Sequence, residues 1–196
     1  MMHSPIVFID VETTGFSARD GRVIELGMVR VEDGKVVATY SQLLDPGMDI
    51  SWHITNVTGI TNEQLYGKPQ FRIVLDQVED FMGGALFAAH NVDFDYGFIK
   101  EEFARSGARL AMDRFCTAQL SRRLYPGVSG HSLDKLIERH GYTVNNRHRA
   151  LDDAMVIAQF FIDHVDSRQT ELLTCINAIM KRTRPSVKHI YTEPMF

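Results

Sequence analysis

The chain has 196 residues, 44% hydrophobic and 23% charged, a size and balance suited to one soluble globular domain with a substantial core. A formal charge of -4 excludes an overall basic field for holding nucleic acid, so any such binding has to come from a local site. The two cysteines, Cys116 and Cys175, lack CxxC spacing, and no apolar stretch is long enough to span a bilayer, so neither a zinc site, a disulfide framework nor a membrane protein is expected.

The start, MMHSPIVFIDVE, has no basic n-region and meets acid after a short apolar run, so a secretory signal is not expected and a cytoplasmic setting is the default. PIVFIDVE (Pro5–Glu12) is nearly continuously apolar, as a strand buried on both faces would be. RVIELGMVRV and KVVATYSQLL flank the turn EDG (Glu32–Gly34), a hairpin signal, and DPG (Asp45–Gly47) closes that unit. From there helices and strands alternate. PQFRIVLDQVEDFMGG spaces Phe71, Val74, Leu75, Val78 and Phe81 at helical period between a proline and paired glycines. ALFAAH (Ala85–His90) reads as a short buried strand, FDYGFIKEEFARSG as a helix stopped by Gly107, and HSLDKLIERHG as another amphipathic helix. ALDDAMVIAQFFIDHV (Ala150–Val165) is apolar nearly all round after its first turn, which predicts a helix buried against the sheet, and a last helix is expected near Ser167–Met180. One α/β domain over residues 1–180 is the economical reading, followed by a basic, unassigned tail over 181–196.

Within this frame the carboxylates are oddly placed. Asp10 and Glu12 end the first strand two residues apart and so point to one face, where like charges repel and solvation is poor. HNVDFDYGF supplies Asp93 and Asp95 after another strand, and RHRALDD supplies His148, Asp152 and Asp153 where a buried helix begins. Three segments thus carry carboxylates to element ends, the usual ligand side of an open α/β sheet. Oxygen-rich sites suit Mg²⁺ or Mn²⁺, and two such ions about 3.5–4 Å apart can clamp the oxygens of an in-line phosphoryl displacement. Histidine is the residue type suited to deprotonating the attacking water. Taken singly, each piece also fits solvated loop acids, helix-dipole partners or turn residues.

Together they resemble the DnaQ-like (DEDDh) 3′–5′ exonucleases, the group that includes the proofreading epsilon subunit of bacterial DNA polymerase III. FIDVETTG is similar to the first family motif, HNVDFDYGFI to the second, and HRALDD to the third, in the family's order and over roughly Ile6 to Phe161. ITNVTGITNEQL and HSLDKL also resemble family sequence, whereas Cys116-Thr117 stands where many relatives have Asp-Thr. The resemblance implies a ribonuclease H-like fold with a mixed five-stranded sheet flanked by helices. It selects Asp95 over Asp93 and Asp153 over Asp152, and implies that Asp10, Glu12, Asp95 and Asp153 hold two divalent ions, Mg²⁺ or Mn²⁺. Asp10 would bridge the ions, Glu12 and Asp153 would serve the one that activates water, Asp95 would help hold the second, and His148 would take the proton of that water.

The resemblance further places Thr13, Thr14, Gly15, Val57, Thr58, His90 and Asn91 around the terminal nucleotide, with core packing the competing role for Val57 and Ile60. Arg147 and Arg149 are candidate phosphate contacts, and equally residues of a surface loop. The implied substrate is the 3′ end of single-stranded or frayed DNA, cleaved to nucleoside 5′-monophosphates in proofreading or repair. RNA trimming, a homodimer, and a scaffold subunit that chiefly holds a DNA polymerase catalytic subunit are the alternatives the family leaves open. Proofreader-like motif spacing favours DNA, and the intact acidic set favours catalysis.

Overall fold

A computed structural model of the chain describes residues 4–183. Five strands form one mixed sheet: β1 (Ile6–Thr13), β2 (Val23–Glu32), β3 (Lys35–Leu43), β4 (Leu86–Ala89) and β5 (Arg114–Cys116), in the spatial order β3-β2-β1-β4-β5. The first three are antiparallel, and β4 and β5 add parallel to β1. The expected hairpin joins β2 and β3 through Asp33 and Gly34, both at positive φ, as a tight turn between right-twisted strands requires.

Helices α1 (Trp52–Thr58), α2 (Asn62–Leu65) and α3 (Phe71–Met82) follow the hairpin; α4 (Val92–Arg105) follows β4; α5 (Thr117–Leu124), α6 (Leu133–His140) and α7 (Ala150–Ile179) follow β5. Helices α1, α2 and α5 lie in stretches that sequence periodicity left unassigned, and with seven, four and eight residues they are too short to establish a period. The two helices expected across 150–180 form one element broken at Arg168, whose φ of -143° is not helical. Ser132 and Gly141 cap α6, the first through its side chain and the second in the left-handed region.

Because side chains alternate along β1, its two faces build two cores. Val7, Ile9 and Val11 pack with Phe98, Ile99 and Phe103 of α4 and with α3. Ile6 and Phe8 pack with Ile157, Phe160 and Phe161 of α7; the Phe8 and Phe161 ring centroids are 5.3 Å apart. Asp10 and Glu12 continue the α7 face. A smaller cluster of Ile24, Ile50, Ile60 and Leu65 seats α1 and α2 against β2.

The chain leaving α7 returns to the sheet. Lys181 forms an antiparallel bridge with Arg114 of β5, and the Thr183 amide donates to Asp113. The returning backbone thus pairs with the edge that β5 offers. The remainder of the tail lies outside the described residues.

Candidate active site

The carboxylates meet because three elements end at one place. Asp10 and Glu12 project from the end of β1, where Asp10 faces Gly27 and Glu12 faces Glu25 across the β1–β2 pairing, and the register breaks just after Glu12. Gly27 makes the next step feasible: a Cβ there would fall inside the backbone of Ala150 and Leu151. Glycine thus lets the first turn of α7 lie directly on the sheet, which brings Asp153 to the carboxylates of β1. Asp95 comes from the first turn of α4, where the short β4 crosses into helix.

Asp10, Glu12, Asp95, His148 and Asp153 line a single cavity of about 210 Å³ with His90, Asn91, Phe94, Leu133 and Arg147. The neighbouring acids lie elsewhere. Asp93 is exposed and bonds to Lys181 at 2.5 Å, while Asp152 accepts from the backbone and side-chain amides of Asn146. By contrast Asp95 and Asp153 are 4% and 3% exposed.

His148 is held by its neighbours. Its φ of 61° is left-handed, a conformation that non-glycine residues adopt when their surroundings impose it. On one side Arg149 forks onto the buried Glu25 at 2.7–3.0 Å, and Glu25 also accepts the Ala150 amide. On the other, Arg147 bonds Asp134 of α6 at 2.8 Å and pairs with Asp153. Both arginines are thus tied to carboxylates, one on each side of His148 in the chain. Nothing local in the sequence marks Glu25, whose partner lies 124 residues away, or Asp134, whose partner lies 13 residues away.

The remaining nominated residues divide. Asn91 precedes α4 at a φ of 120°. Both ring nitrogens of His90 engage protein partners, Nδ1 the Thr117 hydroxyl at 3.1 Å and Nε2 the His131 carbonyl at 2.8 Å, so its polar atoms brace the cavity wall. The Thr13 hydroxyl donates to the Gly15 carbonyl, and that of Thr14 accepts the Arg22 amide, which shapes the turn after β1. Thr58 is buried, its hydroxyl donating to Ile54 and accepting from Ile60. Val57 and Ile60 part company: Ile60 is core, while Val57 is 42% exposed. Thr13, Thr14, Gly15, Val57 and Thr58 stand outside the lining of the carboxylate cavity.

Electrostatically the cluster is short of positive charge. Burial, then Asp95, Asp153 and Glu12, raise the Asp10 carboxyl well above its ordinary range. Burial first, then Asp153 and Glu25, push Glu12 to about 8; burial lifts Asp95 to about 7 against two backbone hydrogen bonds. Asp153 is raised by burial too, with Arg147 opposing. Burial lowers His90 to about 4, which keeps it neutral beside the arginines.

This donor set fits hard divalent cations. Ligand atoms of Glu12, His148 and Asp153 lie within 4.8 Å of one another, and Asp153 Oδ1 is buried without a hydrogen-bond partner. Four carboxylates that resist ionisation together are stabilised by a cation in their midst.

The family model described as exonuclease (RNase_T) matches residues 7–161. The chain belongs to this exonuclease family, and to its DnaQ-like branch. The DNA polymerase III subunit epsilon of Aquifex aeolicus is 36% identical over 163 residues, 83% of this chain and 81% of that protein. A PolC-type DNA polymerase III of Clostridium perfringens is 37% identical over 153 residues, 78% of this chain. The chain spans only 11% of that polymerase's length. The structure of Exonuclease X in complex with 5′-overhanging duplex DNA superposes with a TM-score of 0.67 at 27% identity, covering 87% of this chain and 98% of that one. The nuclease domain of 3′hExo, a DEDDh family member bound to rAMP, shares the fold with a TM-score of 0.74 at 21% identity, over 85% of this chain and 94% of that domain. The fold is therefore the ribonuclease H-like fold of the DEDDh exonucleases, and the exonuclease chain is a nuclease of the hydrolase class. No helix among the described residues is long and apolar enough to cross a membrane.

Proposed function

We propose that this exonuclease removes nucleotides one at a time from the 3′ end of single-stranded or frayed DNA, releasing nucleoside 5′-monophosphates, in proofreading or repair beside a DNA polymerase catalytic subunit. The observation that carries this reading is the convergence of Asp10, Glu12, Asp95, Asp153 and His148 on one cavity. Asp10, Glu12, Asp95 and Asp153 would hold two divalent ions, Mg²⁺ or Mn²⁺. Bound there, the ions lower the pKa of water and offset charge on the phosphate oxygens. The protein's own part is to position and to move a proton. His148, slung between two anchored arginines, accepts the proton of the water directed at the terminal phosphodiester. Glu12 and Asp153 fix where that water sits, since their ligand atoms cluster with that of His148.

Two comparisons support DNA: the relatives named as DNA polymerase III components, and Exonuclease X, whose 27% identical structure holds DNA. They also support a cytoplasmic setting near replication. The carboxylate cavity is small and the chain's net charge negative, which fits a frayed terminus gripped locally and released after few cleavages. A domain over residues 1–180 that carries the chemistry, with the basic tail for contacts, goes with this reading.

The test uses 5′-labelled single-stranded DNA and the matching RNA with Mg²⁺, Mn²⁺ or EDTA. Stepwise shortening from the 3′ end is expected, abolished by EDTA and reduced about 10²–10⁴-fold in His148→Ala, with Asp153→Asn similarly impaired and DNA the faster substrate. Faster loss of RNA would reassign the substrate to RNA trimming, and no degradation of either strand would overturn the catalytic reading.

A further inference from the structure

Resting on that reading, one side chain has a role that neither the metal ligands nor the base account for. Among the described residues, Arg147 is the only lysine or arginine lining the carboxylate cavity. It sits two residues before the residue that caps α7, at the positive end of a long helix dipole, where a cation is disfavoured. It is kept there by two acids. Nη1 pairs with Asp153, and Nε bonds Oδ1 of Asp134 at 2.8 Å. The two partners differ in kind. The Asp153 side chain is 5% exposed, whereas that of Asp134 is 71% exposed, at the first turn of α6 and outside the cavity lining.

This asymmetry makes a pivot. The bond at Nε holds the guanidinium to the rim, while Nη1 reaches inward to an oxygen of a carboxylate whose other oxygen, Oδ1, is buried and unpartnered. Asp153 thus offers one oxygen to arginine and keeps one unspent. A divalent ion at Oδ1 and the guanidinium at the other oxygen repel each other, so the two compete for Asp153.

We propose that Arg147 is an internal counter-cation of the metal site: it holds Asp153 until a divalent ion displaces it outward on its Asp134 tether, and so sets the metal concentration at which the site fills. The same contact keeps the metal-free cluster from flying apart, so Arg147 should weaken metal binding and stabilise the unloaded fold together. A purely structural salt bridge would do only the second.

The experiment is calorimetric titration of the full chain with Mn²⁺, beside thermal melts in EDTA. Arg147→Gln is expected to tighten Mn²⁺ binding roughly tenfold, the order of a charge-assisted hydrogen bond at a buried carboxylate, while lowering the melting temperature in EDTA. Asp134→Asn, which loosens the tether but keeps the arginine, should tighten binding by a smaller factor. Arg122→Gln removes a cation near His90 that does not line the cavity, and should change affinity less than twofold. Unchanged or weaker binding in Arg147→Gln overturns the proposal. An equal gain in Arg122→Gln overturns it as well, since the effect is then the protein's general field. If the parent protein binds no Mn²⁺ and Asp153→Asn behaves identically, the metal-dependent reading itself has failed; parent binding with no response to Arg147→Gln removes this inference alone.

Discussion

Two sets of buried carboxylates lie within the width of one sheet and are treated in opposite ways. Glu25 and Glu102 are each 1% exposed, and each takes an arginine fork and a backbone amide: Arg149 and Ala150 for Glu25, Arg22 and Val23 for Glu102. Among the described residues, Asp10, Glu12, Asp95 and Asp153 share a single arginine in their cavity, and Asp10, Glu12 and Asp95 are pushed far toward the neutral form. The first set is scaffold. Glu102 ties α4, which carries Asp95, to the turn after β1; Glu25 ties the His148 loop to β2. The second set is left short of positive charge, the condition that the proposed metal site requires. On that proposal the fully paired glutamates hold the charge deficit in shape.

The contrast can be broken most sharply on the scaffold side. Glu25→Gln leaves Arg149 and the start of α7 without their anchor, and should cost about 3 kcal/mol in denaturant unfolding, the lower end for a broken buried pair because the Arg149 side chain is 40% exposed. In EDTA at pH 8, Glu12→Gln should do the reverse and raise the melting temperature, since the amide is neutral where burial already disfavours the carboxylate. If both substitutions destabilise alike, the division into scaffold and deficit is wrong.

pH sharpens the same point. With Glu12 raised to about 8 and Asp95 to about 7 in the folded chain, against ordinary values of 4.5 and 3.8, the folded state holds more protons than the unfolded one between those limits. Stability without metal is therefore greatest below about pH 4.5 as far as these groups are concerned, and falls as pH rises toward 8. Melts in EDTA across pH 5 to 8 should show that decline, and saturating Mg²⁺ should flatten it. The smallest effect belongs to the exposed acid that neighbours the site in sequence alone. Lys181→Ala removes the pair with Asp93, both partners more than two-fifths exposed, and should change unfolding free energy by less than about 1 kcal/mol.

How much of this was legible in the sequence follows from the range of each interaction. Asp10 and Glu12 announce themselves, because period two puts them on one face of an otherwise apolar strand. The hairpin turn within Glu32–Gly34 is local chemistry and lies where the sequence puts it. The preference for Asp95 and Asp153 over their neighbours rests on family resemblance; in the fold both are buried, whereas Asp93 is exposed and Asp152 half-buried. What stayed hidden is long-range. Glu25 reads as one more strand residue until Arg149 arrives from 124 positions away. Arg147 and Arg149 read as a basic surface loop until their carboxylates are in place. The family resemblance places Thr13, Thr14 and Thr58 near the terminal nucleotide; in the fold the Thr13 and Thr58 hydroxyls bond within four residues of themselves and that of Thr14 accepts the Arg22 amide.

The missing side chain at Gly27 fixes more than a packing contact. Most catalytic constellations are aligned through rotamers, and every rotatable bond between two reacting groups adds angular play. Between Asp10 and the helix that bears Asp153 there is no rotamer: backbone rests on backbone, across the residue that faces Asp10 in the sheet. The spacing of the site is thereby referred to the stiffest part of the molecule. Thermal motion can swing a carboxylate about its own bonds, but it cannot change the distance from which each one reaches.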